Sequence, residues 1–301
     1  MISGIDPSGG RFLTDLARVQ RRSERAQQQL TSGLRVRNAS DDADAISSLL
    51  QARENLKRIT QIDQNLGRIK TEVDTAEESL QGAVSLLERV RVLGAKGVTE
   101  TQTAETRHSV AGEVEAIMRQ LVSVSNTPVE GRYIFSGDSD QTLPYQLDLT
   151  QPTGVSAYGG SEATRQAMHP AGISFPVSHT AQEVFDSTDP AKNVFGAANG
   201  LRLALEADDT GAISVALADV ASSLNHLNGQ LAFYGTTQNQ VQEAADLGAK
   251  MELRLRAQIS DMQDADMAEA IVEFQQSQFQ LETAMQVHGQ VPRKSLFDFL
   301  F

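Results

Sequence analysis

Residues 59–90 read ITQIDQNLGRIKTEVDTAEESLQGAVSLLERV. Counted in alternating steps of three and four, this stretch reaches Ile59, Ile62, Leu66, Ile69, Val73, Ala76, Leu80, Ala83, Leu87 and Val90. Every one is apolar, and the residues between are mostly Gln, Lys, Glu, Asp, Arg and Ser. That is the a/d seam of a heptad repeat. A strand would need period two and would break at Lys70–Glu72 and Glu77–Ser79. The two glycines, Gly67 and Gly82, lie off the seam. A helix spanning Asp42 to Leu93 would be about 75 Å long at about 1.5 Å per residue. Its stripe needs partner helices, because a single amphipathic helix is marginal in water.

The partners are legible in the same way. A second helix is expected from Ala104 to Ser125, with Val110, Val114, Ile117, Leu121 and Val124 on its seam. A third is expected at Val194–Leu205. A long seam then follows through Ile213, Leu217, Val220, Leu224, Leu227, Leu231, Tyr234, Val241, Leu247, Met251, Leu255 and Ile259. Near the N-terminus, Phe12–Thr31 reads as a helix with a thin stripe of Leu13, Leu16, Val19 and Leu30. Near the C-terminus, a helix from Asp266 carries Ile271, Phe274, Gln278, Leu281 and Met285, and Val291-Pro292 stops it. Asp266 and Glu269 have the spacing of a capping box. Gly33 marks a helix stop, and Ser40 or Asp41 an N-cap for the long helix.

Composition changes at Val129. GRYIFSG at 131–137 reads as a short strand, and from there to Lys192 the chain is rich in Gly, Pro, Thr, Ser and Asp. The expected fold is mainly α: a long antiparallel coiled-coil rod of paired N- and C-terminal segments, with a small inserted β-rich domain. The segments are 1–42, an assembly helix disordered in the monomer; 43–128, the first half of the rod; 129–193, the inserted knob; 194–260, the second half; and 261–301, a C-terminal assembly helix. The nesting predicts that the ends pair with each other and that the knob is dispensable for the rod.

The termini differ in charge. Residues 11–37 hold seven Arg and two acids, whereas residues 261–291 hold six acids and no Lys or Arg. Helices of opposite charge suit pairing, with charge setting register and apolar burial supplying affinity.

The totals exclude several function classes. A formal net charge of -13 over 301 residues argues against nucleic acid or an anionic membrane as a main partner. With 0 Cys there is no disulfide, thiolate nucleophile or Cys-metal site. No run of about 18 apolar residues spans a membrane, and no cleavable signal peptide is visible at the start. HExxH, P-loop, GxGxxG and GxSxG motifs are absent. The five histidines stand in five unrelated contexts. Asp261, Asp264 and Asp266 faintly echo a calcium loop, but without its Gly and bidentate Glu they read as helix caps. No cofactor, metal or catalytic residue is expected, and the chain reads as a non-enzyme.

Four stretches together carry a family resemblance. LTSGLRVRNASDDA at 30–43 resembles the amino-terminal signature of the bacterial flagellin family, and LERVRVL at 87–93 resembles a second run at the same relative place. DMQDADMAEA at 261–270 and VPRKSLFDFL at 291–300 resemble its carboxyl-terminal region. Within the family, GRYIFSG and the SLFDFL ending are more similar to hook-associated members than to the bulk filament subunit.

The resemblance implies an extracellular flagellar protein, exported unfolded through the flagellar type III pathway without a cleaved signal. It implies self-assembly through the terminal helices as a ring or helix that joins hook to filament. The implied partners are further copies of the chain, another hook-associated protein, flagellin and a flagellar export chaperone. The implied subunit contacts are Leu13, Leu16, Leu30, Arg35, Arg37, Asp41 and Asp42 from the front, with Phe274, Leu281, Met285, Leu296 and Phe299 from the back. The alternatives are flagellin itself, the bulk filament subunit, and a cytoplasmic coiled-coil adaptor.

Overall fold

The computed structural model describes residues 7–290, apart from 39 and 100. Seven helices account for most of the described chain: α1 (Pro7–Ser32), α2 (Ala43–Val98), α3 (Ala104–Ser125), α4 (Ala181–Phe185), α5 (Val194–Glu206), α6 (Thr210–Gln263) and α7 (Met267–Gln290). Two small antiparallel hairpins lie between α3 and α4: β1 (Pro128–Val129) with β2 (Arg132–Tyr133), and β3 (Gln166–Met168) with β4 (Ser174–Pro176). The mainly α class read from the seams holds. The chain divides into two compact units, one of Met1–Arg58 with Glu252–Phe301, the other Ile59–Met251. Helices α2 and α6 contribute to both.

In the second unit the heptad seam is the core. Ile59, Ile62, Leu66, Val73, Ala76, Leu80, Ala83, Leu87 and Val90 are all buried, and only Ile69 is half-buried. Each fully buried Leu contributes about 1.5–3 kcal/mol. Helix α6 runs antiparallel to α2. Lys70 Nζ donates to Gln242 Oε1 at 2.7 Å, and Gln238 Nε2 to Asp74 Oδ1 at 2.7 Å. The facing α6 residues Val220, Leu227, Tyr234, Val241 and Ala244 are buried. Helix α3 packs on α5.

Helix α2 runs past the expected limit at Leu93, through Gly94 and Gly97, to Val98. Their role is close approach. A Cβ on Gly94 would stand 2.7 Å from Leu217 Cδ2 and 2.8 Å from Leu201 Cδ2, and one on Gly97 would collide with Leu205. The end of α2 is closed by an arginine from α3. Arg107 is buried, and its guanidinium donates to Gly97 O at 2.8 Å and Thr99 O at 3.2 Å while pairing with Asp208. A cation on the last carbonyls of a helix is favoured by their unsatisfied acceptors and by the macrodipole.

The segment between α3 and α5 has little regular strand. Glu130 (φ 51°) and Gly131 (φ 78°) form the two-residue turn of the β1–β2 hairpin, where both positions lie in the left-handed region. Beyond it the chain is held by aromatic packing. Phe135 stands edge-on to Phe185 at 5.9 Å and to Tyr234 of α6 at 6.3 Å, and Tyr145 packs against Phe195 of α5 at 5.2 Å. All five rings are buried. The inserted segment therefore shares one core with α5 and α6, and contiguous aromatic burial ties it to the helices.

Candidate assembly interface

The first unit is built on α1 and α7. They lie antiparallel: Phe12 stacks on His288 with ring centroids 4.2 Å apart, Gln278 Nε2 donates to Ser23 Oγ at 3.2 Å, and Leu34 bridges Asp264. Arg22 grips Glu273 with two hydrogen bonds, Nε to Oε1 at 2.6 Å and Nη2 to Oε2 at 3.0 Å. This is the opposite-charge pairing expected of the two ends. Both partners are partly exposed, so the pair sets register more than it adds stability.

The apolar seam of the pair differs from the one read in the sequence. The residues it buries are small: Ser23 and Ala26 on α1, Ala270 and Ser277 on α7. Small side chains let the two axes approach, and the large ones turn to the flanks. Leu13 is 65% exposed, Phe279 70% and Met285 63%. Ile271, Val272 and Val287 are also exposed. Leu16, Phe274 and Leu281 are half-buried. Two grooves follow from this arrangement. One of ≈ 460 Å³ is lined by Leu16, Gln20, Phe279, Leu281 and Met285, and a second of ≈ 370 Å³ by Phe12, Phe279, Ala284 and Val287.

The turn after α1 clamps the turn after α6. Gly33 stops α1 in the left-handed region (φ 71°), its N–H donating to Gln29 O at 2.8 Å. The N–H groups of Arg35 and Val36 then donate to Gln263 O at 2.7 and 3.2 Å, and Ala265 N–H to Gly33 O at 2.9 Å. Arg35 Nη2 donates to Met262 O at 2.7 Å, and its Nη1 pairs with Asp42 Oδ2 at 3.0 Å. These bonds satisfy carbonyls at the end of α6 that would otherwise lack partners.

Asp42, not Ser40 or Asp41, caps α2: its Oδ1 accepts the Ala45 N–H at 3.0 Å. That bond, then the Arg35 guanidinium, holds the Asp42 carboxyl below the usual carboxylate range. Asp41 folds the loop instead. It accepts the N–H groups of Asn38 at 2.8 Å and Arg37 at 3.0 Å, and these two bonds hold its carboxyl low as well. Asp266 caps α7, accepting from Ala268 and Glu269 N–H at 2.8 and 3.1 Å.

The residues expected to make subunit contacts thus fall into three groups. Leu13 and Met285 are exposed on the flanks of the helix pair. Leu16, Leu30, Phe274 and Leu281 are half-buried within the unit. Arg35, Asp41 and Asp42 are engaged in the loop, and Arg37 is exposed beside them. Leu296 and Phe299, like the Val291-Pro292 stop, lie outside the described residues. Sequence reasoning expected opposite charges to pair without singling out Arg22 and Glu273, and it missed the small-residue seam. The recurrence of Ser23 and Ala26 opposite Ala270 and Ser277, spaced three and seven apart, was the available signal.

Among the described residues, no three His, Asp or Glu side chains are grouped to hold a metal ion, and no helix is long and apolar enough to cross a membrane.

Comparison with known proteins matches residues 11–140 to the bacterial flagellin N-terminal helical region and residues 217–300 to the bacterial flagellin C-terminal helical region, together over two thirds of the chain. This chain belongs to the bacterial flagellin family. The flagellar hook-associated protein 3 of Salmonella typhimurium is 24% identical over 306 residues, which cover 90% of this chain and 90% of that protein. The flagellin of Bacillus subtilis is 25% identical over 265 residues, covering 84% of this chain and 83% of its own. Among solved structures, a flagellar hook associated protein-3 from Legionella pneumophila superposes with a TM-score of 0.61 at 15% identity, covering 70% of this chain and 98% of that one. FlgL of Bacillus cereus gives 0.55 at 20% identity, covering 71% and 100%. The flagellin-family regions include both helices of the α1–α7 pair. β3, β4, α4 and α5, with Tyr145, Phe185 and Phe195, lie between the two regions, whereas Phe135 and Tyr234 fall inside them.

Proposed function

We propose that this chain is a structural, non-enzymatic subunit that joins hook to filament in the bacterial flagellum and self-assembles through its terminal helices. One observation carries the reading: α1 and α7 satisfy their mutual contact with Ser23, Ala26, Ala270 and Ser277, leaving Leu13, Phe279 and Met285 on the outside. An apolar surface of that kind marks a contact with other chains. The likeness over 90% of both chains to a hook-associated protein 3 favours the junction over other flagellar positions. On this reading Leu13, Leu16, Leu30, Phe274, Leu281 and Met285, with Leu296 and Phe299, meet neighbouring subunits. Arg35, Arg37, Asp41 and Asp42 hold the loop that aims the helix pair.

The terminal helices order fully only on assembly, and export proceeds unfolded by the flagellar type III route. The partners are further copies of the chain, a second hook-associated protein, flagellin and an export chaperone. Immunogold labelling of intact cells tests the proposal. Label confined to the hook tip supports it; label along the filament or in the cytosol refutes it. A second reading, the filament subunit itself, rests on the less extended match to Bacillus subtilis flagellin, over 84% of this chain. Unlimited polymerisation of the purified chain would select it.

A further inference from the structure

Helix α3 accompanies α2 only part of the way. It ends at Ser125, level with Ser79 of α2, whose hydroxyl donates to Thr127 Oγ1 at 3.2 Å. From there toward Ile59, α2 and α6 continue without α3. Yet Leu66, Val73, Ala76, Val241 and Ala244 are at most 2% exposed. Two packed cylinders leave the flanks of their seam residues open to water, so dryness of this degree needs a third layer.

The chain from 164 to 179 supplies it. Its residues alternate as a strand pair should: Ala167 and Val177 are buried and Phe175 half-buried, while Gln166, Met168, Ser174 and Pro176 face out. One end is fixed by packing. His179 stacks on Phe233 at 3.9 Å, and its N–H donates to Tyr234 Oη at 3.1 Å. At the hairpin tip the Pro170 ring lies over Gly248, 3.6 Å from where a Cβ would stand. From Tyr234 to Gly248 the hairpin spans about 21 Å of α6. At the same base, where Arg165 O accepts the Val177 N–H at 3.0 Å, the β3 side is tied by charge. Arg165 Nη1 meets Glu72 Oε2 of α2 at 2.7 Å, and its Nη2 meets Asp140 Oδ2 at 3.4 Å. Between hairpin and α2 a groove of ≈ 550 Å³ remains, with Ile62, Leu66 and Ile69 among its lining residues. The covering hairpin is thus anchored at its base and at its tip, with the groove left open along its α2 side.

We propose that residues 164–179 form a strap that takes the place of α3 over this part of the α2–α6 pair, and that the Arg165–Glu72 ion pair is its latch. Releasing the latch lifts the hairpin and bares the seam beneath, while the α3–α5 end of the unit stays folded. Because the latch is ionic and only partly buried, salt weakens it.

Hydrogen exchange read by mass spectrometry on the full chain tests this. In Arg165→Met the hairpin amides, such as His169 and Val177, should exchange about tenfold faster, with α3 and α5 unchanged. Salt at 1 M should accelerate the same amides in the wild type and add nothing in the variant. Arg165→Lys should restore part of the protection. Because the chain has 0 Cys, Pro170→Cys with Gly248→Cys offers a specific lock, and its oxidation should return the Arg165→Met hairpin to wild-type exchange. Acceleration of α3 and α5 together with the hairpin, an unchanged hairpin, or failure of the two cysteines to join in the folded chain would each overturn the strap.

Discussion

A carboxylate placed on the seam of α2 and one placed on α7 should do different damage. Leu87 is fully buried, with no exposed surface. It is a better probe than Leu66, which lines a groove shared with Arg68 and Arg165 that could neutralise a new acid. In Leu87→Asp, truncation of the side chain costs about 2–5 kcal/mol, and a buried carboxylate without a partner adds several more. The sum rivals the whole stability of a domain, about 5–15 kcal/mol, so the second unit should not fold. Leu281 is half-buried beside Leu16 and Met285, in a groove open to water. In Leu281→Asp the isolated chain loses about 1 kcal/mol of burial and keeps its carboxylate hydrated. On assembly that carboxylate must be buried at a neighbouring subunit, at a cost of several kcal/mol. Circular dichroism should show Leu87→Asp unfolded at 25 °C and Leu281→Asp melting within a few degrees of wild type, about 2–4 °C per kcal/mol. A motility or junction-assembly assay should show both variants inactive. If Leu281→Asp assembles normally, or unfolds the chain as Leu87→Asp does, the assignment of α7 to the assembly surface is wrong.

Three further outcomes are expected. Arg107→Met should cost about 2–4 kcal/mol of stability, seen as a lower denaturant midpoint with little change in slope, since it strips the carbonyls of Gly97 and Thr99 of their donor and leaves Asp208 alone; an unchanged midpoint would show that water caps α2 equally well. Gly94→Leu should destabilise by about 1–3 kcal/mol through collision with Leu217 and Leu201, whereas Gly67→Ala, with open space at its Cβ, should stabilise by about 0.5–1 kcal/mol, so thermal shifts of the same sign would refute the close-approach argument. Burial raises the Asp186 carboxyl above its ordinary range despite hydrogen bonds from Asn193 and Tyr145. The folded chain therefore takes up this proton before the unfolded chain does. The group's stabilisation is full below the unfolded pKa and is lost as pH rises through the folded one. The melting temperature of wild type relative to Asp186→Asn should accordingly rise as pH falls from 7 toward 4, and a difference flat with pH would contradict the shift.

The heptad spacing from Ile59 to Val90 was enough to place α2, its buried face and the need for partners, because helix periodicity relates residues three and four apart and is written in consecutive positions. The limits of α3, the stop at Gly33 and the cap at Asp266 were legible for the same reason, since caps act within one turn. Family membership was legible from short runs around the ends. The small-residue contact between α1 and α7 was not, because a thin stripe of Leu13, Leu16 and Leu30 looks like the buried face until the partner's position shows that Ser23 and Ala26 take that place. Nor was the work of Arg35, Arg107 and Arg165. Each is one charged residue among many in the chain, and its partner lies far along it: Met262, Asp208 and Glu72. Periodicity carries information over a few residues, whereas a guanidinium finds its acceptors within about 3 Å in space, and which distant residues come that close depends on how the helices pack.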